Sequence, residues 1–140
     1  TEDAGILSSA VYLGPGEGHD GRIGPEDIAV RTLSADLVLL TGCRTSGGAL
    51  TFGEGIQGLV APFLEAGARA VVATLWDVGD QAIVPLVRRF YAELERGVDA
   101  GSALRTARVA GWRAGESPTI WAALTLTGDP RVAPLMGSPR

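Results

Sequence analysis

The chain has 140 residues, 46% hydrophobic and 20% charged, the balance of a single soluble globular domain with room for a packed core. Its net charge is −4, and all 12 of its basic residues are scattered arginines, which excludes a basic nucleic-acid surface. No apolar run reaches the ~18 residues that span a bilayer, and no signal-peptide pattern opens the chain, so no membrane partner is expected. One cysteine permits no internal disulfide, which points to a reducing, cytoplasmic setting. One His and one Cys are too few ligands for a structural zinc site, so no metal is expected. The chain starts at Thr1 rather than Met, and it is expected to be a piece of a longer protein.

In chain order, residues 5–13 read as a short strand that ends in the glycine-rich loop GPGEGHDGR. Residues 24–33 read as a short helix, with Pro25 at its first position and Glu26 and Asp27 at its positive start. The branched run ADLVLLT (35–41) has the pattern of a strand buried on both faces. Over 54–68, Ile56, Leu59, Val60, Phe63 and Leu64 recur at helical spacing, and Gly67 closes the helix; Pro62 kinks it or delays its regular part.

A second buried strand is predicted over 68–76. Asp80 then caps a helix whose core face is Ile83, Val87, Phe90 and Leu94. Asp99 caps a further helix over 100–112, residues 120–128 read as a last strand, and residues 131–140 read as a loop or disordered tail. Trp112 and Trp121 read as packing groups, and Phe63, Phe90 and Tyr91 as members of helical core faces. The alternation of elements predicts an α/β sandwich with at least partly parallel strands.

Chemistry in such sheets gathers beyond the carboxyl ends of parallel strands. Cys43 falls there, after Val38-Leu39-Leu40. The amides around Gly42 and Cys43 are placed to meet a developing oxyanion, and the neighbouring Arg44 favours thiolate over thiol. A buried structural thiol is the competing reading, since cysteine is among the most buried residue types. The glycine-rich loop 47–55 is a weaker anion-binding candidate, because no nucleotide motif occurs in it and Glu54 would repel an anion. His19, in its polar glycine loop, reads as solvated.

Four stretches occur in order: ADLVLLTGCRTSGG, GEGIQGLVAPFLEAGARAVVATLWDVGD, FYAELERGVDAGSALRTAR and WAALTLTGDP. Together, from about Ile23 to Pro130, they resemble the CHAT domain, a caspase-like cysteine peptidase module often joined to tetratricopeptide repeats. The resemblance implies a caspase-like three-layer α/β sandwich with a largely parallel sheet. Residues 1–130 are then the C-terminal portion of one such domain, without its first strands. It gives Cys43 the place of the nucleophile, puts Glu54 in the GEG motif, and sets Trp76, Asp77 and Asp80 in the loop bordering the substrate cleft.

The chain departs from the family pattern twice. The upstream stretch resembling H-x-x-x-H-G, which carries the family's histidine base, does not occur, and His19 does not correspond to it. Where the family has ACETG this chain has GCRTS, so Arg44 stands where glutamate is usual.

The implied chemistry is acyl transfer on a peptide or protein substrate by a cysteine–histidine pair, with no metal or organic cofactor. Trp76 would pack on a substrate side chain, the strand ending at Trp76 would pair with extended substrate, and Asp77 and Asp80 would select a basic residue. Asp80 also reads as a helix cap. The fragment alone is expected to be inactive. An upstream segment, a companion fragment of the same protein or a homo-oligomer is expected to complete it and cover the open sheet edge. A non-catalytic scaffold for protein–protein interaction is the alternative function.

Overall fold

The computed structural model describes residues 10–14, 16, 18, 20–41 and 57–134. Their elements are β1 (Val11–Tyr12), β2 (Arg22–Ile23), α1 (Pro25–Ala29), β3 (Leu37–Leu40), α2 (Gln57–Glu65) and β4 (Ala70–Thr74). These are followed by α3 (Asp80–Glu95), α4 (Ala100–Arg113), α5 (Pro118–Trp121) and β5 (Leu124–Gly128).

Local chemistry explains most boundaries. Pro25 opens α1, and the Asp27 carboxylate accepts a bond from the Gly24 N–H at 2.8 Å. Pro62 lies inside α2, which continues through it to Glu65. Gly67, at φ +112, turns the chain from α2 into β4, and a Cβ there would stand 2.6 Å from the Leu33 carbonyl oxygen. Asp99 caps α4 as expected, accepting from the Ser102 N–H at 2.9 Å. The start of α3 differs from expectation. Gly79 is its N-cap, with no side-chain cap bond, and Asp80 is its first helical residue.

Two further differences concern the end of the chain. Within 120–128, only Leu124–Gly128 is strand; the preceding residues form α5, capped by Ser117 and opened by Pro118. Residues 131–134 carry no helix or strand, yet Val132 is buried in the main core and its carbonyl accepts the Ala100 N–H at 2.8 Å.

The main described sheet has the order β3-β4-β5 and is mixed. β3 and β4 are parallel, with Leu37 opposite Ala70 and Leu40 opposite Ala73; β5 runs antiparallel to β4, with Leu124 opposite Thr74. The expectation of a largely parallel sheet therefore gives way, among the described strands, to one parallel and one antiparallel pair. The physical reason is the connection: α5 ends at Trp121, and Leu124 starts β5 beside Thr74 with no crossover back to the far end of the sheet. A separate ribbon pairs β1 with β2 antiparallel.

Side chains alternate across β4 and divide the core. Ala70 and Val72 face a large cluster with Leu86, Phe90 and Leu94 of α3 and Ala103 and Ala107 of α4. Val71 and Ala73 face Val60, Phe63 and Leu64 of α2. A third cluster joins Ile28 of α1 to Leu59 of α2 and to Ile23. Helices thus cover both faces of the sheet, as a three-layer α/β sandwich requires. Leu86 is fully buried, whereas Val87, expected on the core face, only flanks it. Among the described residues no helix is long and apolar enough to cross a membrane.

Candidate functional site

The parallel register places the ends of β3 and β4 side by side. Leu40 lies opposite Ala73, so β3 and β4 run out at the same end of the sheet, into Thr41 and, past Thr74, into Leu75. From Thr41 the sequence runs to Gly42, Cys43 and Arg44; these three, with Glu54 and His19, lie outside the described residues. From Thr74, which is buried, the chain continues through Leu75 and Trp76, both exposed, then exposed Asp77, buried Val78, Gly79 and exposed Asp80. This five-residue turn, 75–79, and the first residue of α3 are the described part of the candidate site.

Trp76 is 43% exposed, but it is held. Its Nε1–H donates to the Thr119 carbonyl of α5 at 2.8 Å, and the Leu75 N–H donates to the Ala123 carbonyl at 2.8 Å. The indole therefore offers a face to solvent while its polar edge is satisfied, an arrangement suited to stacking against a ligand side chain. Asp77 and Asp80 carry no ion pair or hydrogen bond among the described residues, which leaves both carboxylates free to meet a cation. They stand beside the N-terminus of α3, where Asp80 is the first helical residue.

α5 supports Trp76, and α5 is in turn clamped to α3. The Arg89 guanidinium of α3 grips the Glu116 carboxylate with both Nη atoms, one bond measuring 2.9 Å from Nη1 to Oε2. Those bonds hold the Glu116 carboxyl below its ordinary range, against an opposing effect of burial, and raise Arg89 above its own. Ser117, the next residue, caps α5 by accepting from the Thr119 N–H at 3.3 Å. Sequence reasoning missed this support because the apolar run IWAALTLTG reads as one strand. The signal that could have found it is Ser117-Pro118, a cap residue followed by proline at a first helical position.

Other expectations for this region change. β4 is bonded on both sides over Ala70–Ala73, by β3 and by β5, so the body of that strand has no free edge for a substrate. Trp112 is 63% exposed and Tyr91 is 40% exposed, so neither is a core group; Phe90 is fully buried. Trp121 is half-buried in α5, not in a strand.

A family model described as the CHAT domain matches residues 5–129. The chain belongs to the CHAT domain family. Two curated relatives carry the same stretch. Tetratricopeptide repeat protein 28 of Mus musculus is 35% identical over 105 residues, covering 74% of this chain. Its counterpart in Homo sapiens is 33% identical over 105 residues. This CHAT domain chain corresponds to only 4% of the length of either relative. Membership relates the chain to caspase-like, peptidase-related modules, and the mixed α/β architecture with helices on both sheet faces is compatible with that relation.

Proposed function

We propose that this CHAT domain is the nucleophile-bearing part of a caspase-like cysteine endopeptidase. The observation that carries the reading is the shared edge of β3 and β4. One strand leads in sequence to Cys43, and the other leads to exposed Trp76 and to the carboxylates of Asp77 and Asp80, which have no partner among the described residues. In open sheets, parallel strand ends are where substrate and catalytic groups meet.

In this reading the Cys43 thiolate adds to the peptide carbonyl carbon, and amides near Gly42 and Cys43 receive the oxyanion. The carbon–nitrogen bond breaks as an imidazolium gives its proton to the leaving amine. Water then cleaves the thioester, releasing the acid and restoring the thiol. The imidazole comes from a histidine on an upstream segment of the longer protein, where tetratricopeptide repeats are the expected neighbours. Arg44 supports the thiolate, and Glu54 lines the cleft. Trp76 stacks on a substrate side chain, while Asp77 and Asp80 receive a basic one. The expected setting is the cytoplasm.

The test uses the longer protein and fluorogenic peptides ending in arginine or alanine. Cys43→Ala is expected to abolish cleavage while leaving the circular dichroism spectrum unchanged. The double change Asp77→Asn with Asp80→Asn is expected to lower the arginine-over-alanine preference about tenfold, the scale of a lost charge-assisted contact. Cleavage that survives Cys43→Ala sinks the peptidase reading and leaves the interaction scaffold.

A further inference from the structure

On the side of the sheet away from β3, a groove of about 530 Å³ runs between α4 and β5. Leu104, Arg105, Arg108 and Val109 line it from α4, and Thr125 and Leu126 from β5. A second hollow of about 540 Å³, on the surface of α4 alone, adjoins it through the shared Arg105 and Val109 and reaches Arg113. Three properties of this groove point to one kind of occupant.

The first property is charge. The chain is acidic overall, yet three of its arginines gather here. Arg22, Arg69, Arg89, Arg96 and Arg131 each have a carboxylate partner. Arg105, Arg108 and Arg113 have none among the described residues. The nearby acids are already engaged: Asp99 caps α4, and Asp129 pairs with Arg69 and Arg131.

The second property is an unmet donor. Among the described residues the Arg108 Nε is buried without a hydrogen-bond partner, and the same guanidinium makes a long 3.4 Å bond from Nη2 to the Ala122 carbonyl. A buried donor left unpaired costs about 1–3 kcal/mol, which a rotation of the guanidinium toward a carboxylate in the groove would recover.

The third property is a strand edge left unpaired among the described strands. The bonds from the Leu75 N–H to the Ala123 carbonyl and from the Asp129 N–H to the Arg69 carbonyl set the phase of the β4–β5 ladder. By the alternation of an antiparallel ladder, Leu124, Leu126 and Gly128 turn their backbone groups outward. No described strand pairs with that edge. From Gly101 to Arg113 the helix offers ~18 Å, the length of five or six extended residues.

We propose that the α4–β5 groove binds an extended acidic peptide segment, added to the outer edge of β5 with its carboxylates on Arg105, Arg108 and Arg113. The backbone would supply affinity, and the arginines would choose among partners.

The experiment uses the 140-residue chain and fluorescein-labelled octapeptides read by anisotropy. One peptide alternates threonine with glutamate, a second replaces glutamate with lysine, and a third is the glutamate peptide N-methylated at alternate residues. The glutamate peptide is expected to bind, and to bind more weakly as salt rises. The lysine and N-methyl peptides are expected not to bind. Arg105→Glu and, separately, Arg113→Glu change exposed residues, so folding is checked by circular dichroism, and each is expected to weaken binding about tenfold. Equal binding of the lysine or N-methyl peptide would overturn the proposal, as would an unchanged affinity in both folded variants. Sedimentation showing a dimer that occupies the edge and excludes the peptide would overturn it too.

Discussion

Gly111 sits where α4 meets the turn into α5. A Cβ built there would stand 2.6 Å from the Glu116 Oε2 and 2.8 Å from the Trp121 Cβ. The first contact is the end of a flexible side chain, but the second is anchored to the α5 backbone, so the helix itself would have to move. Gly111→Ala gains helix propensity and loses this fit, and the fit wins, because a forced shift in a packed contact costs about 1–3 kcal/mol. The expected outcome is a lower Tm together with a changed Trp76 environment, read by near-ultraviolet circular dichroism. A Tm equal to or above that of the parent chain would show that α5 moves aside freely. Other residues were legible from the sequence alone. Asp99 and Pro25 occupy the cap and first-turn positions that their chemistry predicts.

At the scale of elements, α5 has only four residues and no buried residue of its own. Its place depends on the Arg89–Glu116 clamp and on the Trp76 bond to Thr119. Because the Arg89 guanidinium holds the Glu116 carboxyl below its unfolded value, the clamp contributes fully above about pH 4.3. That contribution is lost as pH falls through the depressed folded value. Glu116→Gln is expected to cost about 1 kcal/mol at neutral pH and to flatten the acid limb of stability against pH, measured by urea unfolding from pH 7 to 3. An acid limb identical in the variant would place the pH dependence on other carboxylates. The starts of α1 and α4 were readable because capping is local chemistry, whereas the cap of α3 fell on Gly79 and α5 was read as strand. The partner of Trp76 was not readable, because Thr119 is far from it in sequence and only the fold brings them together.

Across the whole molecule, β4 is the shared wall of two cores, with Val71 and Val72 both fully buried but facing opposite layers. If the layers fold as one unit, Val71→Ala and Val72→Ala should each cost about 2 kcal/mol. Each variant should still unfold in a single transition that coincides by tryptophan fluorescence and far-ultraviolet circular dichroism. Separate transitions in either variant would show that the α2 layer and the α3–α4 layer melt independently.

The sequence by itself determined the kinds and order of most elements, the family, and the placing of Trp76, Asp77 and Asp80 after a buried strand. These depend on periodicity, capping residues and motif spacing, all of which are local along the chain. Only the tertiary structure decided that β5 runs antiparallel, that Trp112 and Tyr91 face solvent, and that α5 holds the indole of Trp76. It also gathered three arginines, without a carboxylate partner among the described residues, beside an edge that no described strand pairs. Strand direction, exposure and charge pairing are set by contacts between residues distant in sequence, and no local pattern encodes them.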